Sequence, residues 1–336
     1  MGKRRRAAIT VEVLDEEPRP PPPKRSSTSS SEGLSEDPVA RLVDAVYRDV
    51  DSYGIAKAGR RELEETLGTK LSSLTYGEIS VGPFVQLLRC PLLPSARSPP
   101  ACPTQLCWPC AQRVGAPRTL PEPEQPPHFI DIGSGTGKAV LAAALLQPLA
   151  SASGIELVPK LHKVALKAEQ TLRSLLAGPG AAAAGLGSGS ELAAARQTLA
   201  ALNPSGLRLC CGDSFRGASA DALPEWVLRL CPPPPQQPAG IAWLYAPCAC
   251  FDPEMMASLR GWCERLLPGS VVITTTQKLP AKPKRKNKHK HKQRGSGGGG
   301  GGARCRMVLA SSTSLSYAKG RLTFHVYHAV ALARPA

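Results

Sequence analysis

The stretch His128-Phe-Ile-Asp-Ile-Gly-Ser-Gly-Thr-Gly-Lys138 decides the fold. Phe129 to Ile132 reads as a short apolar strand and Gly133, Gly135 and Gly137 as a turn. A helix follows, with apolar positions at Val140, Leu141, Leu145 and Leu146. Glycine lets backbone amides approach a ligand closely, because a Cβ would block the way. Amides that open a helix are expected to face an anion. Beyond Gly137 a second strand, Ser153 to Leu157, carries Glu156, a carboxylate placed to accept two hydrogen bonds from a ribose diol. Together these elements predict a nucleoside site at the carboxyl ends of parallel strands.

The glycine spacing narrows the choice of nucleoside. A P-loop needs a glycine where this chain has Ile132 and a Ser or Thr where it has Ala139, and the dinucleotide fingerprint needs a third glycine at Lys138. Both are excluded. The pattern D-x-G-x-G-x-G, opened by Asp131, resembles motif I of class I S-adenosylmethionine methyltransferases. That resemblance implies S-adenosyl-L-methionine as the methyl donor.

Outward from this stretch the chain keeps an α/β rhythm. Downstream, Pro159 to Leu176 reads as a helix with Leu161, Val164, Ala165, Ala168 and Leu172 on one face. Leu207 to Cys211 reads as a third strand leading to Asp213-Ser214-Phe215, and Ile241 to Tyr245 as a fourth. Asp252 is expected to cap a helix from Pro253 to Leu267, before a fifth strand at Val271 to Thr275. A terminal pair, Arg306 to Ser311 and Leu322 to Val330, completes a pattern that predicts a seven-stranded, Rossmann-like class I methyltransferase sheet. Upstream, residues 37–89 read as a helical subdomain: apolar positions recur at Val39, Leu42, Val43, Val46 and Tyr47, a second amphipathic stretch stops at Gly68, and a short helix runs from Pro83 to Leu88.

Several segments are expected to lie outside any core. Residues 1–36 are basic and rich in Pro and Ser, residues 90–127 form a Pro/Cys-rich insertion, and residues 177–190 and 279–303 are low-complexity insertions in a core spanning 128–336. Cys107-Trp-Pro-Cys110, with Cys90 and Cys102 nearby, has the spacing of half a zinc site, but no regular second pair follows, so no metal is expected. The chain of 336 residues carries 34 prolines and 31 glycines, and a net charge of +16 that points to an acidic partner. Its 11 cysteines are scattered and expected to be reduced thiols. No apolar run approaches the ~20 residues of a membrane helix. Lys282 to Arg294 holds eight Lys/Arg and two His, a run suited to DNA or to a nucleosome surface.

With Thr75-Tyr-Gly-Glu78, motif I, Gly154-Ile-Glu156, Gly212-Asp-Ser-Phe215 and Cys250-Phe-Asp-Pro-Glu254 in this order, residues from about 70 to 330 resemble the disruptor of telomeric silencing family of non-SET histone lysine methyltransferases, as a divergent member. The resemblance implies a nuclear, monomeric enzyme that methylates a globular-domain lysine of histone-three in the nucleosome. It implies that Thr75, Tyr76 and Glu78 line the donor site on a lid loop within residues 37–89 that closes over it, that Asp131, Gly133, Ser134, Gly135 and Gly137 hold the methionine end, and that Asp213 and Phe215 hold the adenine. Two departures stand out. Ser214 is inserted between the acid and the aromatic, and Ala246-Pro-Cys-Ala-Cys-Phe251 replaces V-N-N-F-A-F.

Transfer of a sulfonium methyl needs alignment and exclusion of water more than acid or base. The lysine amine must be neutral, and desolvation by apolar walls such as Tyr76, Tyr245 and Phe251 would favour that form. Pro247-Cys248 also resembles the Pro-Cys of cytosine-5 RNA methyltransferases, whose cysteine attacks the base. An RNA enzyme using Cys248, and a chromatin binder with little turnover, are the alternatives.

Overall fold

The computed structural model describes residues 37–68, 79–89, 126–178, 189–202, 206–215, 240–280, 305–317 and 320–331. Its centre is a seven-stranded sheet of β1 (His128–Ile132), β2 (Ser151–Glu156), β3 (Leu207–Cys211), β4 (Ala242–Ala246), β5 (Val271–Thr275), β6 (Cys305–Tyr317) and β7 (Gly320–Ala331). The order is β3-β2-β1-β4-β5-β7-β6. β1 to β5 pair parallel, and β7 enters antiparallel against β5 with β6 outside it. This is the sheet of the class I S-adenosylmethionine-dependent methyltransferase fold.

The chain reverses its direction of winding at β1, which has β2 on one side and β4 on the other, in register Asp131↔Gly154 and Asp131↔Tyr245. Ligands in open α/β sheets bind outside the carboxyl ends of the strands at such a switch point. The motif I turn leaves β1 there.

Strand alternation sends Phe129, Trp243, Tyr245 and Ile273 to one face, and Ile130, Ile132, Leu244 and Val272 to the other. The first face carries most of the helices. α4 (Lys138–Leu146) is buried at every position from Ala139 to Leu145, so it lies between two layers instead of facing water. The sheet covers it on one side. α1 (Pro38–Val46) and α3 (Val81–Leu88) pack on it from outside, through Leu42, Val43, Phe84 and Leu88 in a shared core. The helices expected as an N-terminal subdomain are therefore part of the wall of the sheet domain. α2 (Ser52–Leu67) ends at Gly68 in the left-handed conformation and packs on α5 (Pro159–Ala177) through Ala56, Val158 and Leu161. α7 (Pro253–Cys263) covers the second face with Met256, Leu259 and Trp262. Asp252 caps it by accepting from Met255 N at 2.8 Å, and it ends four residues before the expected Leu267.

Two expectations of extent are corrected. α6 (Gly189–Ala201) begins inside the expected linker at 177–190 and buries Leu192, Ala195 and Leu199. β6 runs to Tyr317, six residues past the expected end. The tail at 1–36, the four cysteines at 90, 102, 107 and 110, and the basic run at 282–294 lie outside the described residues. No helix of the described residues is long and apolar enough to cross a membrane.

Candidate functional site

A cavity of about 360 Å³ opens at the carboxyl ends of β1, β2, β4 and β5, within the ~300–1,000 Å³ range of small-molecule sites. Asp131, Gly133, Ser134 and Gly135 line it from the motif I turn and Glu156 from the end of β2. Asp213 and Phe215 follow from the segment after β3, and Tyr245 and Phe251 from β4 and the loop beyond it. Nine of the sequence-predicted residues thus meet in one place. Gly137 is the exception. It turns away from the cavity, where a Cβ would stand 3.1 Å from the Ala165 Cβ. Its φ of 85° and this close packing against α5 are why the position needs glycine. Thr75, Tyr76 and Glu78 lie outside the described residues.

The turn spends its amides within the protein. Gly133 N and Ser134 N both donate to Ile155 O, at 2.9 and 3.0 Å, and Gly137 N donates to Ser134 O at 2.8 Å. Gly135 N donates to Glu156 Oε2 at 2.7 Å. The anion that the turn itself meets is the protein's own Glu156. A donor without phosphates suits such a turn better than a dinucleotide. The other Glu156 oxygen accepts from Val158 N at 2.8 Å. A carboxylate offers about four lone-pair positions, so both oxygens can still accept from a diol.

Asp131 lies deeper. It is 1% exposed, and its Oδ1 has no hydrogen-bond partner among the described residues. Burial lifts its carboxyl well above the usual carboxylate range, and the charge of Glu156 adds to the rise. Burial raises Glu156 too, against the opposing pull of the Val158, Gly135 and Leu157 amides. Two raised carboxyls, one with an orphaned oxygen, would be satisfied by a ligand that brings a cation and hydroxyl donors to them. S-adenosylmethionine carries both, and the residues present fit it.

At the far end the walls are aromatic. Tyr245 is buried under Phe84, ring centroids 5.0 Å apart, and burial followed by the charges of Asp131 and Cys248 pushes its phenol well above the ordinary value. Phe215 stacks on Trp262 at 4.8 Å and meets the Phe251 ring edge-on at 5.3 Å. One face of Phe215 is therefore already covered. Asp213 Oδ1 accepts from Phe215 N at 2.8 Å, which fixes the turn that carries the ring despite the inserted Ser214.

Cys248 does not line the cavity. It is fully buried, its thiol donates to Thr275 O at 3.2 Å, and burial pushes its pKa up. A nucleophilic cysteine needs an exposed, electropositive setting that lowers the pKa. These grounds count against the alternative in which Cys248 attacks a base.

Sequence reasoning missed a group of wall residues. Ala56 and Arg60 reach the cavity from α2, and Thr275, Thr276, Arg321 and Leu322 from the end of β5 and the start of β7. A buried phenol also supports the turn from outside, since Tyr47 Oη donates to Thr136 O at 2.5 Å with Lys138 Nζ over its ring. The apolar period of α1 marked Tyr47 as core, but nothing in that period marks a hydroxyl aimed at motif I.

No protein-family model matches this chain, and no curated protein matches it. Solved structures with a similar fold include the rRNA methyltransferase aviRa of Streptomyces viridochromogenes, 14% identical over 62% of this chain and 77% of that one, with a TM-score of 0.35. A methyltransferase of Thiobacillus denitrificans in complex with S-adenosyl-L-homocysteine is 14% identical over 47% of this chain and 46% of that one, TM-score 0.25. The mitomycin 7-O-methyltransferase MmcR is 18% identical over 46% of this chain and 33% of that one, TM-score 0.25. The chain spans less than half the length of the last two. Likeness of this degree says nothing of substrate, and the fold rests on the strand order itself.

Proposed function

We propose that this chain is an S-adenosylmethionine-dependent methyltransferase that acts on a lysine amine, with nucleosomal histone-three as the acceptor that the family resemblance implies. The observation that carries the donor assignment is the pair of buried carboxyls, Asp131 with an orphaned Oδ1 and Glu156 beside the glycine turn. Asp131 would hold the donor's ammonium and Glu156 its ribose diol, with Asp213 and Phe215 at the adenine. The donor supplies an electrophilic methyl on a sulfonium sulfur.

The protein's own part is alignment and drying. Tyr245 and Phe251 narrow the acceptor end and withhold water, which lowers the pKa of an entering ammonium and favours the neutral amine. Tyr245, its phenol raised, stays a neutral hydrogen-bonding group at physiological pH. The inert setting of Cys248 favours this acceptor over a base attacked by a thiolate. A nuclear location and contact of Lys282 to Arg294 with nucleosomal DNA belong to the same proposal.

The test is transfer of labelled methyl from S-adenosylmethionine to nucleosomes, free histones and total RNA in parallel, with Glu156→Ala as control. Label on nucleosomal histone-three, lost in the control, is the expected result. Label on RNA alone would overturn the acceptor assignment.

A further inference from the structure

Thr276, just past β5, has a φ of 65°, and among the described residues no other non-glycine residue has a positive φ. A β-branched side chain rarely adopts that conformation, and strain of this kind gathers at functional sites. Thr276 lines the cavity, and its amide is held by Thr323 O at 2.8 Å. The reversal directs the next residue back over the strand ends. Gln277 Nε2 lies 2.8 Å from Cys248 O, 3.0 Å from Phe251 O and 3.2 Å from Ala249 O. Three carbonyl acceptors around one terminal group fix the amide with its nitrogen toward the loop, two N–H groups shared among three oxygens. The backbone carbonyl of Gln277 accepts from Thr274 Oγ1 at 2.8 Å and from the Cys248 thiol at 3.6 Å.

The held segment forms the acceptor end of the cavity through Pro247, Ala249, Cys250 and Phe251. Its only regular structure is a three-residue 3-10 turn, Cys248–Cys250, too short to hold itself. We propose that Gln277 is a positioning residue for the acceptor: by clamping the carbonyls of 248, 249 and 251 it sets where Phe251 stands, and hence the width of the entry to the methyl donor. This rests on the methyltransferase reading above. Gln277 does not itself line the cavity, so its removal is expected to change acceptor use and leave donor affinity alone.

The experiment uses the full chain with Gln277→Leu, close in size but without donors, and Gln277→Glu, which faces the same carbonyls with acceptors. Three quantities are read: acceptor KM and kcat at saturating donor, the Kd for S-adenosylhomocysteine, and hydrogen exchange across residues 247–252. Loss of shared hydrogen bonds is expected to raise acceptor KM and the exchange rate of the Phe251 amide each about tenfold. The Kd should stay within about twofold, as expected when the altered contacts lie off the donor. Unchanged KM and exchange would overturn the proposal, as would a Kd that rises in step with KM. If the wild-type chain binds no S-adenosylhomocysteine, the methyltransferase reading falls separately, and the exchange rates alone decide whether the clamp exists.

Discussion

Asp131→Asn should stabilise the protein while damaging its donor site. Asp131 is buried beside a second carboxyl, and its folded-state pKa is raised. The sign follows: between the unfolded value of ~3.9 and the raised one, the folded protein binds the extra proton, so stability falls as pH rises through that window. Each pH unit in the window costs the ligand-free protein ~1.4 kcal/mol. The asparagine avoids that cost but leaves an imperfectly paired amide in the same place, a penalty of about 1–2 kcal/mol. The advantage of the variant therefore grows by that ~1.4 kcal/mol for each pH unit within the window, about 3–6 °C in Tm for a domain of this size. Donor binding should move the other way, because a lost charge-assisted hydrogen bond of about 1.5–3 kcal/mol weakens Kd roughly ten- to hundredfold. Thermal melts at pH 5 and 7, with calorimetric titration of S-adenosylhomocysteine, measure both effects. A Tm gain that does not grow with pH, or an unchanged Kd, would refute the reasoning.

Tyr47→Phe removes the hydroxyl held by Thr136 O and should cost about 1 kcal/mol, seen as a Kd for S-adenosylhomocysteine about fivefold weaker. Gly137→Ala meets both a left-handed φ and the Ala165 Cβ, so it should cost more than the ~1–2 kcal/mol of the conformation alone, whereas Gly133→Ala, with nothing within 4 Å of the added Cβ, should cost only the conformation; chemical denaturation of the pair checks this. Cys248→Ala should keep methyl transfer within about threefold, since the thiol is buried and its pKa raised; loss of all transfer in the labelled assay would restore a nucleophilic role.

The fold was legible where local chemistry and tertiary packing agree. Strand, glycine turn and helix at 128–146 are written in adjacent residues, and so is the Asp252 cap of α7. α6 was hidden by its setting. Leu192, Ala195 and Leu199 have helical spacing, but an alanine-rich stretch surrounds them and gives no contrast between faces. The sequence marks β6 only as far as Ser311, because Ser311 to Ser314 lacks apolar alternation; an edge strand with a solvated face needs none, and its register comes from β7. At the site, the motif residues were legible because their spacing is local. The α2 wall, the Tyr47 bond and the Gln277 clamp were not, since each joins segments far apart in the chain. That the turn's amides serve Ile155 O and Glu156 is likewise a matter of three-dimensional distance, which no periodicity encodes.

The contact between Tyr47 and Thr136 bridges 89 residues, and this sets an order of events during synthesis. α1 and α3 leave the ribosome before β1 and α4 exist, with Leu42, Val43, Phe84 and Leu88 bound for a layer that has not been made. At ~5–20 residues per second the wait is roughly 5–20 s, during which those side chains have no native partner. Until then those side chains are bare apolar surface, and the donor turn is the point at which that exposure ends.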